Sequence, residues 1–383
     1  MANYPQLDNS SGVWNLRDVY DAVMGGYWPN ANAIALVGSG NTPTTSKDIQ
    51  QFNLTSGGQA TTFGDLSTGR QAAGSIGSFT RCIFAGGYNG STPYQNDMDY
   101  AQFATQGNFA NFGNLTQSAS QGAALGSSTR GIAGGGTPST PAGTTNIDYF
   151  TFSSDGGAVD FGSFGEAGFE KGAASNNTRG LFFGSSVAPA AKNTITYVTI
   201  ASTGDANDFG DMTDTKSQPG TCGSPTRALI CGGNSVDAPS FYGHPRWTAV
   251  GYVTISTTGN AQDFGQLDQG GACASGSGQC GSSTRGIVLE GGPGPAASNT
   301  ISYITIASLG NAVNFGDRTV SKNQIASMSS TTRAVFGGAG AADTNVIDYV
   351  TITSTGNATD FGDLPVATWG YIAGCSDVNG GLG

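Results

Sequence analysis

"STRGIVLEGGPGPAASNTISYITIASLGNAVNFGDR", residues 283–318, holds most of a unit that the chain repeats. Very similar sequences occur at residues 128–136, "STRGIAGGG", and at residues 331–340, "TTRAVFGGAG". A Phe-Gly pair marks seven copies, at Phe63, Phe112, Phe161, Phe209, Phe264, Phe315 and Phe361. The spacing runs from 46 residues (315 to 361) to 55 residues (209 to 264), a period typical of repeat architectures.

Each unit contains four strand-like runs separated by turn signals. The first is small and apolar, as in "GAALGSS", and the second ends in glycines, as in "TRGIAGGG". The third alternates, as in "ITYVTIAST", and the fourth is short, as in "ATDFGDL". Seven units of four antiparallel strands predict an all-β fold, a seven-bladed β-propeller whose innermost strands crowd the axis and are therefore small.

The two ends of the chain predict how the ring closes. Residues 32–40, "NAIALVGSG", resemble a second strand, so the first copy lacks its first strand. Residues from about 366 to 383 resemble a first strand without a unit to follow. We expect this C-terminal strand to complete the blade that the N-terminus begins, within a propeller domain spanning residues 31–383, because closure removes free sheet edges.

Residues 1–30 form a leader of different character. In "LRDVYDAVMGG", residues 16–26, the apolar side chains have helical spacing, and a glycine pair follows them. The leader is therefore predicted to be a short helix. It either covers one face of the propeller or joins another protein, and its docking candidates are Val13, Trp14, Leu16, Tyr20 and Trp28.

Composition excludes several classes of function. The net charge of −11 and the absence of a basic cluster exclude a nucleic-acid partner, because phosphates would be repelled. The apolar runs are far shorter than the ~20 residues of a membrane helix, so no membrane insertion is expected. The repeated "DFG" is a strand end rather than a kinase motif, and the acids of residues 203–214 fit no calcium loop. No catalytic residue, metal or cofactor is predicted.

Arginine follows the Phe of Phe-Gly in six copies, 18 residues later in five of them and 21 residues later at Arg285. The six are Arg81, Arg130, Arg179, Arg227, Arg285 and Arg333, each preceded by Thr. A ring of arginines could bind an anion, but the favoured interpretation is structural, with each guanidinium tying together turn carbonyls and an acid. The acids before the repeated Phe, Asp160, Asp208, Asp263 and Asp360, are the predicted partners.

Six cysteines are present, and none forms a CxxC pair. Cys222 and Cys280 occupy a repeat position that elsewhere holds Ile76, Leu125, Ala174 or Met328. That position is therefore predicted to be buried and apolar. Inert core thiols are the favoured interpretation, with disulfides left open.

The fifth copy carries the longest departure from the repeat. From Gly233 to Tyr252 the distance is 19 residues, and the added segment is rich in aromatic residues. Such side chains dominate interface hot spots and stack on sugars. The segment either folds over its own blade or binds a receptor or glycan, with the candidates Phe241, Tyr242, His244, Arg246 and Trp247.

The glycine pair, the Tyr of the third strand and the Phe of the fourth resemble kelch-type propellers. "TRGIAGGG", "NTITYVTIASTG", "NATDFGDL" and the leader "SGVWNLRDVYDAVMGGYWP" are similar to structural proteins of tailed bacteriophages, especially marine and cyanobacterial ones. The resemblance implies a non-enzymatic virion protein, assembled in the host cytoplasm, that serves as a tail-fibre or appendage module or as decoration.

Its implied partners are other tail, baseplate or capsid proteins and a host surface glycan or receptor, with homo-oligomerisation left open. The alternative is a glycan-binding or glycan-active propeller, a lectin or a polysaccharide-degrading enzyme. A bacterial surface module is a third interpretation, disfavoured by the lack of a recognisable secretion signal.

Overall fold

A computed structural model describes residues 33–378, except residues 43, 91–93, 139–142, 188–189, 234–247, 269–279, 291–297, 322–324, 339–343 and 369–371. The predicted leader, residues 1–30, lies outside the described residues. All regular elements of the described residues are β-strands. They form the seven-bladed propeller of four-stranded antiparallel blades that the repeat predicts, which confirms that prediction.

The first half of the ring contains strands β1 to β17. They are β1 (Ile34–Gly38), β2 (Asn41–Thr42), β3 (Thr44–Thr45), β4 (Asp48–Asn53), β5 (Thr61–Asp65), β6 (Gly74–Gly77), β7 (Arg81–Tyr88), β8 (Tyr94–Gln102), β9 (Ala110–Asn114), β10 (Ala123–Gly126), β11 (Arg130–Gly134), β12 (Thr144–Thr151), β13 (Val159–Gly168), β14 (Gly172–Ser175), β15 (Arg179–Val187), β16 (Ala190–Thr199) and β17 (Asn207–Asp211).

The second half contains strands β18 to β29. They are β18 (Gly220–Gly223), β19 (Arg227–Cys231), β20 (Ala249–Thr254), β21 (Gln262–Gln266), β22 (Arg285–Leu289), β23 (Thr300–Thr305), β24 (Val313–Asp317), β25 (Ala326–Ser329), β26 (Arg333–Gly337), β27 (Thr344–Thr351), β28 (Thr359–Thr368) and β29 (Ala373–Ser376).

Six blades pair their strands in the order inner, second, third, outer. Blades 2, 3, 4, 5 and 7 are β6–β9, β10–β13, β14–β17, β18–β21 and β25–β28. Blade 1 has the order β29-β1-β4-β5, and β2 and β3 form a small separate hairpin. Blade 6 contains β22, β23 and β24, with a bridge between Gly281 and Gly286 on the side of its inner strand.

The inner strand of blade 1 comes from the far end of the chain. β29 pairs antiparallel with β1, from Ala35 opposite Ser376 to Gly38 opposite Ala373. The closing strand is shorter than the stretch 366–383, because residues 366–368 belong to β28, the outer strand of blade 7. Beyond β29, the amide of Asp377 donates to the carbonyl of Ile34 (3.1 Å), and burial raises the pKa of its carboxyl to about 6.

The core lies between neighbouring blades rather than within one blade. The described residues form seven apolar clusters, and each joins two adjacent blades. Between blades 2 and 3, for example, Met98 and Phe112 pack with Phe150 and Phe152. A blade therefore cannot bury its apolar surface alone, which is why the unit must be repeated around a closed ring.

The repeated Tyr and Phe form one contact in six blades. The Tyr of the third strand packs edge-on against the Phe of the outer strand, with ring centroids 5.5–6.0 Å apart. This T-shaped geometry is favourable for aromatic quadrupoles. Both side chains therefore serve packing, as their place in the repeat suggests.

The Gly of each Phe-Gly pair is the place where the next blade docks. In blade 6, the amide of Gly356 in the following blade donates to the carbonyl of Phe315 (2.8 Å). A Cβ on Gly316 would lie 2.3 Å from the carbonyl oxygen of Gly356, and Gly316 has φ +148°. Close approach and backbone conformation thus both require glycine at this position.

Candidate functional site

The two ends of the ring carry different connections. One end, here called the turn face, carries the tight turns between first and second strands and between third and outer strands. The other end, the loop face, carries the connections between second and third strands and the crossovers from one blade to the next. Candidate sites are therefore assigned to one face or to the axial channel.

The six repeat arginines lie on the turn face and strap neighbouring blades together. Each guanidinium stacks over the Tyr of its own blade, with Cζ 4.2–4.6 Å from the ring centroid. Its Nη1 donates to a carbonyl at the end of the third strand of the next blade. The acceptors are Phe152, Ile200, Ile255, Ile306, Ile352 and Leu54.

A short side-chain turn positions each arginine at the start of its strand. In blade 2, the Ser78 hydroxyl accepts the backbone amides of Thr80 (3.2 Å) and Arg81 (3.0 Å). Asn176 replaces this Ser in blade 4 and accepts the same two amides. Ser and Asn favour such local turns because their short side chains reach the backbone two and three residues on.

Three of the four predicted acidic partners of the arginines are wrong, and Asp263 stays a prediction. Asp160, Asp208 and Asp360 instead accept the backbone amide two residues later, at the glycine of the Phe-Gly pair. Among the described repeat arginines, Arg81 has an acidic partner, Asp155 of the next blade (2.7 Å). The acids next to Phe point outward on the outer strand because they shape its bulge, so they do not reach the guanidinium.

Blade 1 lacks both the repeat arginine and the tyrosine on which it stacks, a pair that we call the arginine strap. By strand register, Ile34 stands where the other blades have Arg, and Gln51 stands where they have Tyr. Ile34 packs against the apolar cluster between blades 1 and 2. Loss of both partners together indicates that Arg and Tyr function as one unit.

We expect Arg179→Ala to lower the free energy of unfolding by roughly 1–3 kcal/mol, because it removes the stack on Tyr197 and the bond to Ile255. The measurement is denaturant unfolding, with Lys192→Ala as the matched control. Lys192 is an exposed cation of the same blade, paired with exposed Glu166, and such pairs contribute little. Unchanged stability with loss of ligand binding would instead make the arginine ring a binding site.

Buried polar anchors near the loop face hold three crossovers, and the sequence analysis missed them. Asp148 accepts both the amide (2.9 Å) and the hydroxyl (2.6 Å) of Thr116 from the preceding blade. Asp348 makes the same pair of bonds with Thr319, and Asp99 makes it with Ser67. The signal was available, since Asp-Tyr occurs at residues 99, 148 and 348, each opposite a Ser or Thr in the preceding crossover.

The anchor at Asp99 contains a fully buried ion pair. Arg70 Nη2 lies 2.6 Å from the Asp99 carboxylate, and both side chains are at most 1% exposed. Burial lowers the pKa of Arg70, and the charge of Asp99 opposes that change. Arg70 also donates to the carbonyls of Gly86 and Asp97, so the cation is neutralised and hydrogen-bonded within the fold.

Strained polar residues lie on the loop face close to the axis. Gln121, Glu170 and Gln218 occupy equivalent places in successive crossovers and have φ values of 56°, 58° and 51°. We call these three residues the crossover cluster. Gln218 Nε2 donates to Glu170 Oε1 (2.7 Å), and burial raises the pKa of Glu170. Ala72 occupies the same place in the preceding crossover with φ 53°, so this backbone conformation belongs to the crossover itself. The polar side chains of Gln121, Glu170 and Gln218 make the cluster the strongest candidate among the described residues.

Lys171 follows directly after Glu170. Its ammonium lies 4.7 Å from the centroid of the Phe164 ring and donates to the carbonyl of Gly184 (3.4 Å). Burial lowers its pKa to about 8. The crossover cluster thus combines amides, a carboxyl and a nearby cation, groups that suit hydrogen bonding to a polar ligand.

A cavity of about 170 Å³ lies on the axis between the inner strands. Hydroxyl and amide groups line it from Ser75, Ser127, Ser175 and Asn177, together with apolar side chains such as Leu125. Its described lining contains no Asp, Glu, Lys, Arg or His. It is smaller than typical sites for drug-sized ligands, so it suits water or a small neutral group.

The receptor candidates Phe241, Tyr242, His244, Arg246 and Trp247 lie outside the described residues. So do the docking candidates Val13, Trp14, Leu16, Tyr20 and Trp28. The insertion connects β19 to β20, whose adjoining ends lie at the loop face, the face of the crossover cluster.

Within the described ranges, no three His, Cys, Asp or Glu side chains group as metal ligands, and no helix could span a membrane. The fold defines the class as a seven-bladed β-propeller. Comparison with protein-family models and with curated proteins gave no match.

Proposed function

We propose that the protein is a non-enzymatic binding propeller, a kelch-like module of a phage tail fibre, appendage or virion surface that contacts the host. The single observation that carries the binding role is that the repeated side chains make contacts within the fold. Arg, Tyr, Phe, Gly and the Asp-Tyr carboxylates make contacts between and within blades. The repeats thereby build a stiff ring, and recognition is left to the parts that differ between blades.

The loop face is the proposed recognition face. It carries the crossover cluster, whose polar groups are held at strained backbone positions, and the connection that contains the long insertion. Amide and carboxyl groups bind sugar hydroxyls, and aromatic side chains stack on sugar rings. A host surface glycan is therefore the proposed ligand, bound by the crossover cluster together with the insertion.

The virion role is supported by the sequence resemblance to phage structural proteins. The proposed partners are accordingly tail, baseplate or capsid proteins, and the proposed location is the assembled particle. Labelling the protein and locating it in purified particles by electron microscopy tests this role. Its absence from particles would remove the virion proposal and leave the binding proposal standing.

We expect Tyr242→Ala combined with Trp247→Ala to weaken attachment to host cells by tenfold or more, about 1.4 kcal/mol. The matched control is Phe79→Ala, since Phe79 is 49% exposed and lies on the opposite, turn face. Host-cell binding and thermal unfolding are measured for the wild type and both variants. Equal binding by the double variant with a preserved fold would eliminate the insertion as the recognition element.

The alternative is a glycan-active propeller, and the half-buried Glu170 is the observation that favours it. Burial raises the pKa of the Glu170 carboxyl, which is the direction that a general acid requires. Incubation with host polysaccharide separates the two proposals. Binding without new reducing ends supports the binding module, whereas release of sugars that is lost in Glu170→Gln supports the enzyme.

A further inference from the structure

A disulfide joins the closing strand to the neighbouring blade. Cys375 in β29 is bonded to Cys82 in β7, across a sequence separation of 293 residues. β29 belongs to blade 1, whereas β7 is the second strand of blade 2. The bond therefore holds the C-terminal strand to a blade other than the one that it completes.

The other described joints use packing at this position. In the joint between blades 3 and 4, a Cβ on Gly180 would lie 2.4 Å from Leu125, which fills the equivalent space. Between blades 5 and 6, Cys222 lies in the same way against Gly286, without a sulfur partner. The covalent bond thus occurs at the joint that contains the one described inner strand delivered from the far end of the chain.

The remaining attachments of β29 are few and non-covalent. Its four residues pair with β1. The hydroxyl of Ser75 donates to the carbonyl of Gly374 (2.9 Å), and the hydroxyl of Ser376 donates to the carbonyl of Ser329 (3.4 Å). A four-residue strand held by such contacts opens locally more easily than a strand in the middle of a continuous blade.

We propose that Cys82 and Cys375 form a redox latch that controls how firmly the ring is closed. With both thiols reduced, β29 docks through its hydrogen bonds and packing, and it detaches and redocks. With the disulfide formed, β29 is fixed to blade 2 and detachment requires reduction. The latch operates independently of what the propeller binds.

Because the axial cavity is too small to hold oxidised glutathione, local detachment of β29 exposes Cys375 to it. Cys375 lines this cavity, whereas Cys82 is fully buried. The Cys375 thiolate attacks one sulfur of oxidised glutathione and releases one glutathione thiolate. The Cys82 thiolate then attacks the Cys375 sulfur and releases the second. Two protein thiols are oxidised, one glutathione disulfide is reduced to two thiols, and the protons exchange with solvent.

Other described thiols are poorly suited to the same reaction. Cys222 and Cys280 are free and buried, and Cys231 is buried as well. Burial raises the pKa of Cys280 far above its usual range, which suppresses the reactive thiolate. Selectivity for Cys82 and Cys375 therefore follows from the geometry that places these two sulfur atoms within bonding distance.

The test compares the reduced full-length protein with the same protein treated with oxidised glutathione. Alkylation and peptide mapping report the state of Cys82 and Cys375. Hydrogen exchange then compares β29 with β14, the inner strand of blade 4. We expect oxidation to protect the two thiols from alkylation, to slow exchange in β29 at least tenfold with little change in β14, and to raise Tm by about 5 °C or more.

Cys82→Ala and Cys375→Ala are expected to abolish the response to oxidation, and Cys222→Ala is expected to keep it. The wild-type comparison needs no variant, so a variant that fails to fold does not weaken the test. Failure of the two cysteines to pair would overturn the latch. Pairing that leaves the exchange of β29 unchanged would overturn it equally.

Discussion

Removal of residues 372–383 is expected to abolish cooperative unfolding of the ring and to cause the shortened chain to associate. The deletion removes β29, the buried side chains of Ile372 and Cys375, and the disulfide. Loss of a disulfide that closes so long a loop alone costs roughly 3–5 kcal/mol. It also leaves β1 as an unpaired edge, and exposed edges recruit other chains.

The measurements are calorimetric unfolding and size-exclusion chromatography with light scattering. Rescue provides the control: a synthetic peptide of residues 369–383, added in excess to the deleted chain, should restore part of the lost Tm. A scrambled peptide of the same composition should not. A deleted chain that stays monomeric with an unchanged Tm would show that closure by β29 does not hold the ring together.

Gly316→Ala is expected to destabilise the protein by roughly 3–5 kcal/mol, as much as a severe core substitution. The added Cβ would lie 2.3 Å from the carbonyl oxygen of Gly356, so blades 6 and 7 must separate or shift. That shift would break the bond from Gly356 to Phe315 and the neighbouring bond from Ala358 to Asp317. Denaturant unfolding measures the loss.

Gly310→Ala is the matched control because it isolates the effect of backbone conformation. Gly310 has φ +151°, almost the same as φ +148° at Gly316, but a Cβ there would meet no atom within 4 Å. We expect this control to cost about 1–3 kcal/mol from the unfavourable φ alone. Equal losses for the two variants would contradict the conclusion that Gly316 is required by blade docking.

The order of the repeat predicted the architecture because each blade uses the same local rules. Alternation, turn residues and small inner-strand residues recur in each unit, so seven weak signals reinforce one another. The Tyr and Phe positions recur for the same reason, and the structure shows that they pack edge-on in six blades. The assignment of Cys222 to a buried position also followed from comparing copies, and its side chain is 4% exposed.

Contacts between blades were harder to predict because their partners lie far apart in sequence. Arg130 reaches Ile200, 70 residues away, and Arg227 reaches Ile306, 79 residues away. Nearby Asp side chains were the predicted partners instead, because the sequence does not show how one blade rotates onto the next. The hydrogen bond between Thr116 and Asp148 was not predicted for the same reason, because it joins two different repeat units.

By itself, the sequence determined the number of blades, their strand order and the residues that recur at each joint. Each strand and each turn is encoded by residues that are close together in the sequence, through hydrophobic alternation and turn-forming residues. The tertiary structure alone decided which side chains meet across the ring: the arginine straps, the strained Glu170 beside Gln218, and the pairing of Cys82 with Cys375. These contacts depend on the curvature that brings residue 375 back to residue 82, and curvature arises only when all seven blades pack together.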